Sequence, residues 1–406
     1  MAPTTSPVTL ADVEAARDLL QGVVRPTPLE FSRALSDKVG GDVFLKCENL
    51  QRAGSFKIRG AYVRMSRLDD AEKARGVVAA SAGNHAQGVA LAARLLGIDA
   101  TVYMPAGAPL PKVNATRGYG ADVVFHGHTV DEALVAARSY ADETGAVLIH
   151  PFDHVDIVAG QGTVGLEILA ECPDVRTIVV CTGGGGLLAG IATAVKALRP
   201  DVEVVGVQAS GAAAYPPSLA AGHPVALERM STMADGIAVG CPGEVPYALV
   251  RDLVDRVDVV GEEMLSRSLL FLLERAKLVV EPAGAAGVAA LLADPGRFAP
   301  PVVVVLSGGN VDPLLMMRVI RHGMAAAGRY LQLRLRMPDR PGQLARLLAV
   351  LAETDANVLE VEHGRTAATL SVDEVEIGVQ LETKGAEHCE QVIGRLRSEG
   401  YRPDAG

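Results

Sequence analysis

The chain has 406 residues, of which 49% are hydrophobic and 21% are charged, and its formal net charge is −10. This length exceeds what a single core usually serves, so we expect at least two domains, and the acidic balance without a dense lysine or arginine run argues against a nucleic-acid partner. The N-terminus lacks a charged segment followed by a long apolar run, and no stretch approaches about 18 uninterrupted apolar residues, so we expect a cytoplasmic protein with no membrane span.

The cysteines and histidines give no pattern of a metal site. The cysteines are odd in number and never in CxxC spacing, which favours reduced thiols over disulfides or structural zinc; they are Cys47, Cys172, Cys181, Cys241 and Cys389. His126 and His128 have no carboxylate or cysteine constellation around them in the sequence. We therefore interpret the histidines as surface or structural residues and expect no metal.

Between Asp42 and about Asp312, short β-branched runs alternate with longer Ala/Leu-rich segments of helical period. This alternation predicts an α/β fold with parallel sheet wrapped by helices. Several runs are apolar on consecutive residues, as expected for strands buried on both faces. The predicted strands are Val43–Lys46, Val77–Ala80, Thr101–Met104, Asp122–Phe125, Thr177–Cys181, Val204–Val207 and Val302–Leu306.

Three polar segments follow the predicted strands or turns. Lys57 lies in SFKIRG after a glycine-containing turn; taken alone, a lysine between aromatic and aliphatic neighbours is usually a surface residue with a buried stem. The strand at Val77–Ala80 leads into Ser81–Gly88, SAGNHAQG, and the strand at Val302–Leu306 leads into Ser307–Asn310, SGGN. Because ligands of open parallel sheets gather at the carboxyl ends of the strands, we expect these segments to share a site.

Four consecutive glycines, Gly183 to Gly186, separate the strand TIVVC from the predicted helix LLAGIATAVKAL. Together they cost about 2–4 kcal/mol in regular structure relative to alanine, so a close approach to the backbone is expected. Backbone N–H groups at such a turn form an anion cradle, and a phosphate fits it. A tight turn without a ligand and a nucleotide loop are the alternatives, although no GxxxxGK[ST] pattern is present.

In this order, the segments SFKIRGA, SAGNHAQG, HPFDHVDIVAGQGT, CTGGGGL, ADGIAV, EPAGA and LSGGN resemble the tryptophan-synthase-like, fold type II pyridoxal-phosphate (PLP) enzymes, and most closely the threonine dehydratases. The resemblance spans roughly residues 5 to 320. It implies two open twisted parallel sheets wrapped by helices in a catalytic domain of residues 1–325, with a small subdomain at about 50–155 inserted in the larger one.

The resemblance also implies a role for each matching residue. Lys57 would carry PLP covalently and act as the catalytic base, Asn84 would contact the ring hydroxyl, and Ser307 would face the pyridine nitrogen. The remaining implied contacts are Gly183, Gly184, Gly185, Gly186 and Leu187 with the phosphate, Ser81, Ala82, Gly83, Asn84 and His85 with the substrate carboxylate, and Phe56, Gly236 and Glu281 near the ring.

The implied reaction is conversion of L-threonine to 2-oxobutanoate and ammonia, and of L-serine to pyruvate. Ala82 stands where the related serine racemases carry a second serine, so racemisation is expected to be slow. Gln208 and Ala214 replace acidic positions of the racemase metal site, so no divalent metal is expected. Ile58 replaces an aspartate common in enzymes of replacement chemistry, which makes that chemistry a runner-up.

Other functions remain open from sequence. A catabolic serine/threonine dehydratase and a racemase-like enzyme share the same motifs. A nicotinamide-linked dehydrogenase would also explain strands alternating with glycines, and a non-catalytic amino-acid-binding regulator would leave Lys57 unexplained.

Beyond Met324 the sequence AAAGRY is expected to be a short linker before a domain of different rhythm. Alternating Leu331, Leu333 and Leu335, helically spaced leucines after DRPG, a second alternating run from Val375 to Leu381 and a last helix predict an order close to βαββα. Residues 329–406 resemble an ACT module, a ferredoxin-like α+β fold, best in DRPGQLARLL. This resemblance implies that isoleucine inhibits the enzyme, that valine is an antagonist of isoleucine, and that the chain forms a homodimer or homotetramer. The alternative is that the module is an oligomerisation appendage without a ligand. The chain ends where a fourth strand would normally be completed.

Overall fold

The computed structural model of the protein describes residues 6–365 and 370–405. It divides into two compact units, Met1–Asp312 and Pro313–Gly406. The outer bounds of the two predicted domains, residues 1 and 406, lie outside the described residues. Among the described residues, no helix combines the length and the apolar character needed to cross a lipid bilayer.

The first unit alternates helices and strands along the chain. Its first half contains, in order, α1 (Leu10–Leu19), β1 (Leu29–Phe31), α2 (Arg33–Val39), β2 (Val43–Lys46), α3 (Lys57–Ser66), α4 (Asp70–Arg75), β3 (Val77–Ala80), α5 (Asn84–Leu96), β4 (Ala100–Met104), α6 (Leu110–Gly118), β5 (Asp122–Phe125), α7 (Val130–Thr144) and β6 (Val147–Leu148). Its second half contains α8 (Val155–Glu171), β7 (Thr177–Cys181), α9 (Gly186–Leu198), β8 (Glu203–Ala209), α10 (Tyr215–Ala221), α11 (Glu244–Leu253), β9 (Arg256–Val260), α12 (Glu262–Phe271), α13 (Pro282–Ala293) and β10 (Val302–Val305).

These strands form two sheets. The large sheet has the order β1-β2-β10-β7-β8-β9 and is parallel except for the antiparallel edge pair β1–β2. The small sheet has the order β5-β4-β3-β6 and is parallel throughout. Every residue of β3, β7 and β10 is buried, as expected for strands covered by helices on both faces. The predicted α/β class is thus confirmed.

Close helix packing fixes α3, the helix that begins at Lys57. A Cβ on Gly160 of α8 would lie 2.7 Å from the Cα of Gly60 in α3, and a Cβ on Gly60 would lie 2.8 Å from the carbonyl oxygen of Ile157. The two helices can approach this closely only because both positions are glycine. The start of α3 is therefore held against the body of the unit.

A buried ionic network anchors the same helix. Arg59 is fully buried, and its guanidinium donates to both carboxylate oxygens of Glu48 at 2.8 Å and to those of Glu167 at 2.6 and 3.0 Å. Lys46 of β2 lies 2.8 Å from Glu167 and 2.7 Å from Glu171. The ionic network joins β2, α3 and α8 two residues from Lys57.

The second unit is an α+β sandwich of one sheet and its helices. Its elements are α14 (Pro313–Ala326), β11 (Tyr330–Pro338), α15 (Gln343–Ala352), β12 (Asn357–Gly364), β13 (Glu374–Glu382), α16 (Ala386–Ser398) and β14 (Asp404–Ala405). The strands form an antiparallel sheet in the order β12-β13-β11-β14. Alternate residues of β11 and β13 are buried, which confirms the predicted alternation.

Two expectations for this unit are corrected. The segment AAAGRY is not a free linker, because α14 continues to Ala326, Ala327 N–H donates to Gly323 O, and Tyr330 already begins β11. The fourth strand is present as well, since β14 pairs with Leu333 and Arg334 of β11.

Candidate active site

A cavity of about 460 Å³ lies in the first unit at the carboxyl ends of β3, β7 and β10. This is where ligands of open parallel sheets are expected. The cavity brings together every residue predicted for the site from the sequence. They are Phe56, Lys57, Ser81, Ala82, Gly83, Asn84, His85, Gly183, Gly184, Gly185, Gly186, Leu187, Gly236, Glu281 and Ser307.

Lys57 is the first residue of α3, and its amine faces the cavity. Its Nζ donates to Pro151 O at 2.9 Å and lies 5.1 Å from the centre of the Phe56 ring. Burial lowers the pKa of the Lys57 amine from 10.5 to about 8, and the negative charge of Glu281 offsets only part of this effect. A larger neutral fraction of the amine follows, which suits both covalent capture of an aldehyde and proton transfer.

The glycine loop Gly183–Gly186 follows β7 and leads into the N-terminus of α9. Within the described chain, the N–H groups of Gly184, Gly185, Gly186 and Leu187 have no protein acceptor, and all four residues line the cavity. Backbone donors at a helix N-terminus suit a phosphate group. The donor set therefore fits the phosphate of the implied cofactor.

Two aromatic side chains pack so closely against the loop that only glycine fits there, and the sequence did not predict these contacts. A Cβ on Gly184 would overlap ring atoms of Phe152. Gly185 has a φ of +97°, and a Cβ there would overlap the hydroxyl oxygen of Tyr215. Phe152 and Tyr215 therefore leave no room for a side chain on Gly184 or Gly185.

Ser307 follows β10 and connects three parts of the site. Its carbonyl oxygen accepts from Phe56 N–H at 3.1 Å, which ties the end of β10 to the start of α3. Its hydroxyl oxygen accepts from the Cys181 thiol at 3.1 Å. Burial raises the pKa of Cys181 to about 11, so the thiol stays a neutral donor and leaves the Ser307 hydroxyl hydrogen to other acceptors.

A chain of hydrogen bonds fixes Asn84. Its amide donates to Glu281 Oε1 at 2.5 Å and accepts from the amide of Asn310 at 2.8 Å, which also donates to Ala53 O at 2.7 Å. Burial raises the pKa of Glu281 to about 7, and Asp235 adds to this effect. The carboxyl group therefore changes charge near neutral pH.

The loop Ser81–His85 precedes α5. Gly83 N–H donates to Ser81 Oγ at 3.1 Å, and no side chain caps the N-terminus of α5, which leaves its first N–H groups to a ligand. Burial lowers the pKa of His85 to about 3, so the ring is neutral, and its Nε2 donates to Ile149 O at 2.8 Å. A negatively charged carboxylate fits this end of the helix.

Several lining residues were missed from sequence. Lys112 of α6 pairs with Asp235, and His150 stacks edge-on against Phe152 with ring centres 4.7 Å apart. Burial lowers the pKa of His150 to about 4, so it is neutral too. His150 and Phe152 had a sequence clue, since both lie in the quoted HPFDHVDIVAGQGT segment, and Asp235 lies in the quoted ADGIAV segment.

The structure also places residues that were interpreted as non-ligands. His126 and His128 are exposed and do not line the cavity. Gln208 is buried and accepts from Tyr215 N–H at 2.8 Å. In residues 6–365 and 370–405, no group of three or more His, Cys, Asp or Glu side chains is arranged to hold a metal ion.

Comparison with known families gives two matches. Residues 20–308 match the family described as pyridoxal-phosphate dependent enzyme, and residues 331–388 match the ACT domain.

Comparison with individual proteins gives relatives that match 79% to 97% of the chain. The chain is 46% identical to "L-threonine ammonia-lyase" of Thermotoga maritima, over 97% of this chain and 98% of that protein. It is 44% identical to "L-threonine dehydratase catabolic TdcB" of Staphylococcus aureus, over 79% of this chain and 94% of that protein.

The solved structures that resemble this chain include a serine racemase and a threonine deaminase. Maize serine racemase has a TM-score of 0.74 and 36% identity, covering 79% of this chain and 99% of that chain. The processed form of threonine deaminase isoform 2 from Solanum lycopersicum has a TM-score of 0.74 and 38% identity, covering 77% of this chain and 86% of that chain.

Proposed function

This chain belongs to the pyridoxal-phosphate dependent enzymes and carries an ACT domain, and from that premise we propose that it is an ammonia-lyase that converts L-threonine to 2-oxobutanoate and ammonia. L-Serine would give pyruvate by the same steps. One observation carries the proposal: the amine of Lys57 and the free N–H groups of the glycine loop line a single cavity. The relative that matches 97% of the chain supports the choice of threonine.

The residues fit pyridoxal phosphate, with Lys57 positioned for its aldehyde and Gly183–Leu187 for its phosphate. The cofactor supplies an electron sink for the charge that develops at the substrate Cα. Lys57 then acts as the base at that carbon, because burial leaves part of its amine neutral near pH 7. Phe56 would back the ring, and the Asn84 amide would donate to the ring hydroxyl.

Ser307 would face the pyridine nitrogen. A hydroxyl is a far weaker acid than a carboxylic acid, so it donates a hydrogen bond without adding a full proton to the ring. The Cys181 thiol, which donates to Ser307 Oγ, leaves the hydroxyl hydrogen available for that bond. A ring without that added proton would favour loss of the β-hydroxyl, which leaves as water with the equivalent of the proton that Lys57 removes from Cα.

The loop Ser81–His85 would bind the substrate carboxylate with the N–H groups at the start of α5. Gly236 and Glu281 border the same cavity. Ala82 lines it with a methyl group and offers no proton donor at that position. We therefore propose that elimination is faster than racemisation in this enzyme, although a serine racemase is among its structural neighbours.

For the second unit we propose regulation of the first step of isoleucine synthesis. The relative named as a threonine ammonia-lyase covers 97% of this chain, whereas the relative named as catabolic covers 79%. The regulatory proposal therefore rests on the ACT domain. Isoleucine would inhibit and valine would oppose it, with a coupling of about 1–3 kcal/mol, in a cytoplasmic homodimer or homotetramer.

The test is release of ammonia and 2-oxo acid from L-threonine, L-serine and D-serine, with and without isoleucine. We expect the highest kcat/KM with L-threonine, little L-to-D conversion and lower activity with isoleucine. No 2-oxo acid from any of these substrates would contradict the catalytic proposal. Insensitivity to isoleucine would contradict only the regulatory one.

A further inference from the structure

A buried lysine at the edge of the cavity has no role in the chemistry proposed above. Lys112 belongs to α6, next to the small sheet, and is 7% exposed. Its Nζ donates to Asp235 Oδ2 at 2.5 Å, and both residues line the cavity. Because burying an unpaired ammonium is costly, this single ion pair explains how the charge can stay there.

The partner comes from the opposite side of the cavity. Asp235 precedes Gly236, where a Cβ would lie 3.4 Å from Glu281 Oε1, and Ile237, whose Cα would lie 3.0 Å from a Cβ on Gly183. The segment from Asp235 to Ile237 thus lies against the glycine loop and the N-terminus of α13, beside the large sheet. Lys112 lies on α6, beside the small sheet, so the ion pair connects the part of the unit built on the small sheet with the part built on the large sheet.

The ammonium also lies beside the loop Ser81–His85. A Cβ on Gly83 would be 3.7 Å from Lys112 Nζ. An ammonium has three donors, and the bond to Asp235 uses one of them. The free N–H groups of the loop and the remaining donors of Lys112 can therefore meet the same anion.

We infer that Lys112 is a substrate-binding residue that attracts the α-carboxylate of an amino acid to the Ser81–His85 loop and thereby selects amino acids over amines. Asp235 is its positioning residue, since it keeps the ammonium at the cavity edge. The inference rests on the proposed function only in taking an amino acid as the substrate.

The test compares Lys112→Met, which keeps the aliphatic stem, with Lys112→Arg, which keeps the charge. Because a hydrogen bond between an ammonium and a carboxylate is charge-assisted, we expect the KM for L-threonine to rise at least about tenfold in Lys112→Met with kcat within about threefold. Lys112→Arg should recover most of the change, and Asp235→Asn should raise KM less than Lys112→Met. A KM within about twofold of wild type in Lys112→Met, or a fall in kcat alone, would overturn the inference.

A binding measurement separates carboxylate recognition from turnover. Calorimetry on the PLP-loaded enzyme should give an L-alanine Kd at least about tenfold weaker in Lys112→Met, with ethylamine, which lacks the carboxylate, bound unchanged. Equal weakening of both ligands would overturn the inference. If wild type binds L-alanine but releases no 2-oxo acid from L-threonine, the proposed reaction fails while the Lys112 inference stands.

Lys196 provides the matched control. Its Nζ lies 2.8 Å from Asp255, its side chain is 14% exposed against 8% for Lys112, and it does not line the cavity. Lys196→Met should leave KM and both Kd values unchanged. An equal rise of KM in Lys196→Met would mean that loss of a partly buried ion pair disturbs the fold in general, and it would overturn the assignment of Lys112.

Discussion

The most informative prediction concerns the ionisation of Lys57 in the cofactor-free enzyme. Burial lowers the pKa of this amine from 10.5 to about 8. At pH 7 the neutral fraction is then about a tenth instead of about 0.03%, a gain of roughly 300-fold. The Lys57 amine should therefore react with an electrophile at neutral pH far faster than an ordinary lysine side chain.

Competitive labelling measures this directly. Cofactor-free enzyme is treated with a trace of acetic anhydride from pH 6 to 11, and mass spectrometry compares labelling of Lys57 with that of the exposed Lys38. We expect the Lys57 labelling midpoint near pH 8. In Glu281→Gln the midpoint should fall further, because loss of a nearby negative charge disfavours the ammonium form. A midpoint near 10, or an upward shift in Glu281→Gln, would refute the reasoning.

Three further predictions concern stability, the glycine loop and metal. Arg59→Met should lower the free energy of unfolding by about 3–5 kcal/mol in denaturant titrations, since it leaves the buried Glu48 carboxylate without its partner; a loss below about 1 kcal/mol would contradict this. Gly185→Ala should weaken PLP binding at least about tenfold by equilibrium dialysis, because the new Cβ meets Tyr215 and the positive φ is strained; wild-type affinity would argue against the phosphate loop. EDTA should leave ammonia release unchanged, and activity restored by Mg²⁺ after EDTA would contradict the expected metal independence.

The central strands were predictable because they are short apolar runs buried on both faces. Val43–Lys46, Val77–Ala80, Asp122–Phe125 and Thr177–Cys181 form with the predicted bounds. The strand Arg256–Val260 was missed, since it lies at the sheet edge, begins with a charged residue and is only partly buried. A strand of this kind lacks the continuous apolar run that identifies the others.

The residues around Lys57 were predictable as a group because each follows a strand or turn in a recognisable motif. Lys112 was not, because its partner is 123 residues away and only the folded chain brings the two together. Arg59 was also beyond sequence reasoning, since a charged residue is expected at the surface unless its partners are known. The fold and cofactor are confirmed, whereas the roles of individual site residues remain predictions.

Covalent attachment of the cofactor to Lys57 is the central claim, and borohydride reduction of the PLP-loaded enzyme followed by peptide mass spectrometry tests it most directly. We predict one modified peptide, with the pyridoxyl group on the amine of Lys57, and none at that peptide in Lys57→Ala. A pyridoxyl group on another lysine, such as Lys112, or full activity without any adduct would contradict the claim.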